Sequence, residues 1–403
     1  MSAEPACPQA AAARPRDAAL MARVAALVER APLAAYGAAS PARVLADRPD
    51  GTVVRYGPLV CKVHAADGDP VELAARLRVA AHPSLRTVLL APLPVPPAPH
   101  PPPGPRAAPP ATPPHRPHPG ASPLGAPRTP VPPAATEPPE VRAALAPLAG
   151  PRFLAPMGGG REASLWPYGA PVSSTERQAA PWEALGGLLA RLHRVPVRAL
   201  PGPVPAMRGP VKVAAALERL RAAPDAVATS PAARAVREAA GTLPDWARGA
   251  APAPVADHLC HGDLHLGQLV RREPTGPLAV GAPAEGWLLI DVDDLGLGDP
   301  AWDLARPAAW FATGLLDPSE WTRLLTAYRA AGGPATGEGD DPWPWLDAPA
   351  RALTVQSAAL GLAKAATASR PLDFTEEAMV AACARMLGED TAPVTGLPAT
   401  TPT

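Results

Sequence analysis

The sequence predicts an α+β chain, with a small β-rich N-terminal lobe followed by a larger helical C-terminal lobe. Three observations carry this. Before residue 170 most apolar runs are short and β-like, parted by turn signals, and from Trp182 onward they mostly recur at helical spacing. All nine tryptophans lie from Trp166 onward, which places the larger core in the C-terminal part. Between Pro92 and Pro139, 22 of 48 residues are proline, with Arg106, Arg116 and Arg128 against the single acid Glu137. Such a composition cannot bury enough apolar surface to fold.

In chain order, residues 1–15 read as disordered. From Asp17 to Arg30, Leu20, Val24, Leu27 and Val28 recur at helical spacing until Pro32 ends the run. Arg43–Ala46, Thr52–Tyr56 and Leu59–His64 read as three strands of an antiparallel meander, divided by Pro49-Asp50-Gly51 and Gly57-Pro58. Alternation in the third puts Val60, Lys62 and His64 on one face and Leu59, Cys61 and Val63 on the other. Asp69-Pro70-Val71-Glu72 opens a helix to about Ala81, with Asp69 as cap, Pro70 in the first turn and Glu72 completing a capping box or pairing with Arg76. Thr87–Leu93 is expected to form a fourth strand. The segment 92–140 is a proline-rich disordered or polyproline II insertion; a ligand for proline-binding partners is the alternative to an inert insertion. Phe153–Met157 and Glu162–Trp166 form a hairpin around Gly158-Gly159-Gly160, and Trp166-Pro167-Tyr168-Gly169 closes the N-lobe, 16–169.

The C-lobe, 170–390, is expected to hold helices at Pro181–His193, Val211–Ala222, Pro231–Ala240, Trp302–Ala312, Pro318–Ala331, Ala348–Ala366 and Thr375–Leu387, before a disordered tail at 391–403. One β interruption, about 258–292, divides them.

Formal charge is zero over 403 residues, so bulk electrostatics favours neither nucleic acid nor an anionic membrane. The longest uncharged run, Thr87 to Pro105, is broken by prolines and cannot span a bilayer as a helix. Cys7, Cys61, Cys260 and Cys383 lie far apart, as free thiols in a reducing compartment do, and Glu4, Arg14, Arg16 and Asp17 argue against a secretory signal. A cytoplasmic protein is expected.

The chemistry gathers at His261-Gly262-Asp263-Leu264-His265-Leu266-Gly267-Gln268 and at Asp291, which ends the apolar run Trp287–Ile290. Moving a γ-phosphoryl group from ATP to a hydroxyl needs a carboxylate for the hydroxyl, oxygen ligands for magnesium and a cation for the phosphates. Asp263 suits the first, Gln268 and Asp291 the second, and Lys62, one of three lysines, the third. A metal-dependent hydrolase built on His258, Cys260, His261, Asp263 and His265 is the rival. It lacks the distant histidines that such sites gather, since no histidine follows His265. Asp293 and Asp294 could extend Asp291 into a metal cluster, but strand alternation would turn Asp294 away.

The first stretch resembles the His-Gly-Asp-(four residues)-Asn catalytic loop of the aminoglycoside phosphotransferase-like small-molecule kinases, relatives of the protein kinases. The stretch Ile290-Asp291-Val292-Asp293-Asp294-Leu295-Gly296-Leu297-Gly298-Asp299-Pro300-Ala301-Trp302-Asp303-Leu304-Ala305 resembles that family's metal-binding segment. The resemblance implies a bilobal protein-kinase-like fold over about 40–390, with ATP and Mg²⁺ as cofactors. It implies Asp263 as the base, Gln268 and Asp291 as metal ligands, Lys62 on the α/β-phosphates with Glu72 as its helix partner, and a hinge at Trp166–Gly169, including Tyr168, against the adenine. Gln268 departs from the family's usual Asn, although maltokinase-like kinases share His-Gly-Asp-x-His-x-Gly-Gln. The acceptor is expected to be a small polar hydroxyl compound, aminoglycoside or sugar-like. The alternatives are a maltokinase-like neutral-sugar kinase and a nucleotide-binding pseudokinase. Asp299 and Asp303 read as loop braces, His261 as fixing the loop, and Glu338, Asp340, Asp341 and Asp347 as a solvated loop or an acidic acceptor pocket.

Overall fold

The structure, a computed structural model, describes residues 18–31, 40–48, 51–96, 151–173, 180–271 and 286–388. The segments read as disordered at the two termini lie outside these residues, as does all of the proline-rich stretch beyond Pro96.

Helix α1 (Ala18–Glu29) buries Leu20, Val24, Leu27 and Val28, the stripe expected from spacing. Strands β1 (Arg43–Arg48), β2 (Gly51–Tyr56) and β3 (Leu59–His64) form the meander, and helix α2 (Pro70–Ala80) follows. Asp69 caps α2, its carboxylate accepting from the N–H groups of Val71 and Glu72 at 2.8 and 3.3 Å; such a cap contributes about 1 kcal/mol. Strands β4 (Ala155–Gly158) and β5 (Arg161–Pro167) complete an antiparallel sheet in the order β1-β2-β3-β5-β4. Leu59, Cys61 and Val63 point from β3 into a small core with α1, leaving Lys62 and His64 on the opposite face.

The fourth strand expected at Thr87–Leu93 does not form. Leu89 makes a single parallel bridge to Leu289, and Leu93 a single antiparallel bridge to Leu165. Val88, Leu89 and Leu90 are consecutive and all buried, so the run is an apolar connector rather than a strand with one exposed face, and its two partners belong to different sheets. No continuous ladder can grow from such contacts.

Short strand β6 (Ala170–Pro171) crosses to the larger lobe, where it pairs with β8 (Leu269–Arg271), which in turn pairs with β9 (Trp287–Leu289). A second ribbon joins β7 (His258–Cys260) to β10 (Gly296–Gly298). Around these strands lie α3 (Trp182–His193), α4 (Gly209–Arg221), α5 (Pro231–Gly241), α6 (Ala301–Ala312), α7 (Pro318–Ala330), α8 (Trp343–Thr367) and α9 (Phe374–Met386). Helix α8 packs on α4, α6 and α9, while α3 packs on α7. It begins five residues before the expected Ala348. Pro344 lies in the first turn, where no N–H partner is needed, and Pro349 is buried, so packing offsets one lost ladder bond.

Candidate active site

The loop from β7 to β8 carries Asp263 and Gln268, and the turn after β9 carries Asp291. Gly262 shapes the first: its φ is +85°, and an added Cβ would stand 2.4 Å from the carbonyl oxygen of Asp294. Only glycine lets the two loops approach so closely. Asp303, from α6, braces the loop from beneath. Its carboxylate accepts from the backbone N–H of His261 at 2.6 Å and of Gly262 at 2.8 Å, and His193 Nε2 donates to it at 3.0 Å. Tyr328 stands 2.8 Å from His193 Nδ1 and accepts the N–H of Ala335 at 3.0 Å, so the brace continues to the far side of the lobe. Burial raises the Asp303 carboxyl, but the His193 hydrogen bond and charge outweigh it and the net shift is downward.

His193, Cys260 and Asp303 are the ligand-type side chains that lie close enough together, among the described residues, to share a metal. Both His193 nitrogens and both Asp303 oxygens are already spent in the brace, so this is a hydrogen-bonded support. The hydrolase cluster considered from sequence is dispersed: His258 pairs with Asp257, and His261 Nε2 donates to the carbonyl of Ile290 at 2.7 Å.

Asp291 adopts a left-handed conformation, φ 64° and ψ 67°, uncommon outside glycine and often found where a side chain is aimed for function. The chain then makes one 3-10 turn, Val292–Asp294. At 120° per residue, that turn distributes its acids to different sides. Asp291 and Asp293 both face the N-lobe: Lys62 Nζ lies 2.5 Å from Asp291 Oδ1 and 2.9 Å from Asp293 Oδ2. Asp294 faces the other way, as alternation predicts, but still joins the site from its other side. Lys212 Nζ, from α4, bridges Asp294 Oδ2 and Asp263 Oδ2 at 2.7 Å each. Arg306 donates to Asp263 Oδ1 at 2.5 Å. Burial pushes the Asp263 carboxyl up, and the charges of Lys212 and Arg306 more than reverse this, leaving it well below the usual carboxylate range. Burial likewise pulls the Lys62 ammonium down, while Asp293 and Asp291 raise it on balance.

Glu72 does not partner Lys62 in this structure. It is half-exposed and accepts from Arg76 at 2.9 Å, the i,i+4 pair that its spacing allowed. Asp293 takes the position beside the lysine and is itself held from behind. Trp166 Nε1 donates to Ser164 Oγ, Ser164 to His64 Nε2, and His64 Nδ1 to Asp293 Oδ2, at 2.8, 2.8 and 3.0 Å. Trp166 is therefore a buried packing residue, 7 % exposed, whose ring presents little surface to a ligand. Tyr168 lies on the strand-to-strand crossing, its N–H bonded to Pro58 O at 2.7 Å and its ring covered by the Arg55 guanidinium at 3.3 Å. Gln268 is buried, with its amide 3.2 Å from Asp291 Oδ2 and 3.2 Å from His265 Nε2. Burial and Arg306 push His265 down to about 4, so it is neutral at pH 7.

The residues present fit a divalent cation. Asp291 brings carboxylate oxygens and Gln268 a side-chain amide, whose nitrogen faces Asp291 Oδ2 here, to one point; an ammonium already lies between Asp291 and Asp293, and Asp293 Oδ1 is buried with no hydrogen bond from any described residue. Lys212, Arg306, Asp293 and Asp294 were not assigned from sequence. Lysine rarity, which singled out Lys62, also marks Lys212.

Residues 127–345, more than half of the chain, match the profile of the family described as "APH: Phosphotransferase enzyme family". The chain belongs to the phosphotransferase enzyme family. No curated protein matches it. Among solved structures, the microcompartment-associated aminopropanol kinase is similar at a TM-score of 0.50 and 15% identity, over 92% of this chain and 95% of that one. This shows a shared kinase-like fold. A choline/ethanolamine kinase family protein from Mesorhizobium loti (16% identity, 93% and 96% of the two chains, TM-score 0.48) and a thermostable mutant of aminoglycoside phosphotransferase APH(4)-Ia (11%, 87% and 96%, 0.49) also match. No helix among the described residues is long and apolar enough to cross a membrane.

Proposed function

We propose that this phosphotransferase-family chain moves the γ-phosphoryl group of ATP to a hydroxyl of a small polar molecule. One observation carries the reading: Lys62, Gln268 and Asp291, from three distant segments and both lobes, converge on one point. Asp263 is tied to the same 291–294 turn through Lys212. In this reading Asp291 and Gln268 hold Mg²⁺, which neutralises phosphate charge, and Lys62 grips the α/β-phosphates. The crossing at 167–169, with Tyr168, borders the adenine, and Trp166 supports it by packing. Glu72 lies outside this set. Asp263 orients the acceptor hydroxyl and takes its proton as transfer proceeds. Its depressed pKa means that it acts mainly by position.

The acceptor favoured by the charges is a neutral or anionic polyol rather than a polycationic aminoglycoside. Lys212, Arg306 and, at 3.8 Å from Asp294, Arg208 crowd the carboxylates at Asp263. Glu338, Asp340 and Asp341 are exposed, with Arg329 binding the carbonyls of Gly339 and Asp340, as a solvated loop would be.

The test is ATP-to-hydroxyl transfer across sugars, polyol acids and aminoglycosides, with Asp263→Ala as control. Removal of the base is expected to cut kcat by about 10²–10⁴ while Mg-nucleotide binding persists. Equal turnover by Asp263→Ala would refute the assignment. Turnover by the wild type above that control excludes a nucleotide-binding scaffold.

A further inference from the structure

Gln268 makes one contact that conflicts with its own chemistry. The N–H of Gly267 donates to His265 Nδ1 at 3.0 Å. That nitrogen therefore carries the lone pair, and the ring hydrogen sits on Nε2. This Nε2–H points at the Gln268 amide nitrogen, 3.2 Å away, while the same nitrogen donates to Asp291 Oδ2. Two donors face each other.

Half a turn about the last side-chain bond exchanges the amide nitrogen for its oxygen, and the two orientations are chosen by hydrogen bonding alone. The oxygen would accept from His265 and would face Asp291 Oδ2. Two bare oxygens repel there. Two oxygens on one octahedral magnesium stand about 3 Å apart, close to the separation of 3.2 Å seen between the Gln268 amide and Asp291. Gly267 is part of the same device. A Cβ on it would lie 2.7 Å from Cε1 and 2.8 Å from Nδ1 of His265, so the imidazole lies where only glycine leaves room.

We propose that His265 is a positioning residue whose Nε2–H selects the oxygen-inward orientation of Gln268. His265, Gly267 and Gln268 then act as one unit that prepares the cation site, a deepening that rests on the phosphotransferase reading. A glutamine serves as a ligand here because a fixed neighbour decides which of its two ends is presented.

The test reads cation affinity rather than turnover. Mn²⁺ is titrated by EPR into protein with saturating ADP, and ADP affinity in EDTA is measured by calorimetry. His265→Ala is expected to weaken Mn²⁺ binding about 10–100-fold, as loss of an outer partner of a metal ligand does, with ADP affinity in EDTA unchanged. Gln268→Glu separates positioning from damage, because a carboxylate presents oxygen either way round. In that background His265→Ala is expected to leave Mn²⁺ affinity where Gln268→Glu alone sets it. Equal losses in both backgrounds, or wild-type affinity in His265→Ala, overturn the proposal alone. A wild type that binds ADP and no Mn²⁺ overturns the proposal and the phosphotransferase reading together.

Discussion

Replacing Lys62 with Met keeps the aliphatic stem and removes the charge that joins the two lobes. Its ammonium sits between Asp291 and Asp293 at 2.5 and 2.9 Å. Removing one partner of a fully buried ion pair costs about 3–5 kcal/mol. Here the side chains of Lys62 and Asp291 are 17% and 37% exposed, so water screens part of the loss and about 2–3 kcal/mol is expected. For a protein of this size that lowers the thermal midpoint by about 4–6 °C. The sign with pH follows from the two shifts. Asp293 is depressed, so its contribution is present above the unfolded value of about 3.9 and is lost as pH falls through the lower folded one. Lys62 is raised, so its contribution is present below about 10.4 and is lost as pH rises through the higher folded value. The wild-type advantage should therefore be full near pH 7 and shrink below about pH 4. Melting curves of both proteins at pH 7 and under acid conditions decide the matter. An unchanged midpoint at pH 7, or the same deficit at both pH values, would refute an electrostatic role for the pair.

Asp293→Asn should raise the KM for Mg-ATP by loosening Lys62, whereas Glu72→Gln, whose carboxylate meets Arg76, should leave it unchanged; steady-state kinetics compares them directly. Asp303→Asn puts an amide where three donors converge on a carboxylate that is 1% exposed, and should cost about 3–5 kcal/mol. Its stabilising effect in the wild type should fade as pH falls through the depressed Asp303 value, which a pH series of melts would show. Val95 N–H bonds Arg152 O at 2.8 Å, so the described chain on either side of 97–150 already meets. Replacing residues 98–149 with a short glycine-rich turn should keep the midpoint within a few degrees, and loss of soluble protein would show that the segment stabilises the fold.

Much of this was legible because the deciding physics is local. Alternation along β3 places Lys62 and His64 on one face whatever lies beyond, and an Asp-Pro start caps α2 by itself. The unread parts depend on approach between distant segments. Apart from the rarity of lysine, nothing around Lys212 distinguishes it from a solvated lysine at the start of α4, and Arg306 falls inside a helix with no motif of its own. Asp294 does turn away from Asp291 and Asp293, but not for the reason alternation supplies. The left-handed Asp291 ends the strand and a turn of period three replaces period two, and that turn carries Asp294 to Lys212 and Asp263, a contact no alternation predicts. Thr87–Leu93 failed similarly: an apolar run satisfies a strand and a buried connector alike, and only its neighbours separate them.

The 291–294 turn also explains how the site can hold so many charges. Asp263, Asp291, Asp293 and Asp294 face Lys62, Lys212, Arg208 and Arg306, so four acids meet four cations and the cluster is formally neutral. Under the proposed function, a nucleotide with its magnesium would enter by exchange. Lys62 would exchange Asp291 for phosphate oxygens and Asp291 would exchange Lys62 for the cation, so neither group would be left buried without a counter-charge. Asp293, held by His64, which Ser164 bonds in turn, would keep the ammonium from leaving the site during that exchange. This is the task a helix glutamate would perform if Glu72 were not committed to Arg76. With Asp293 as the anchor, the carboxylate that holds Lys62 and the proposed metal carboxylate Asp291 lie on one short piece of chain, so a displacement of that turn would disturb both together.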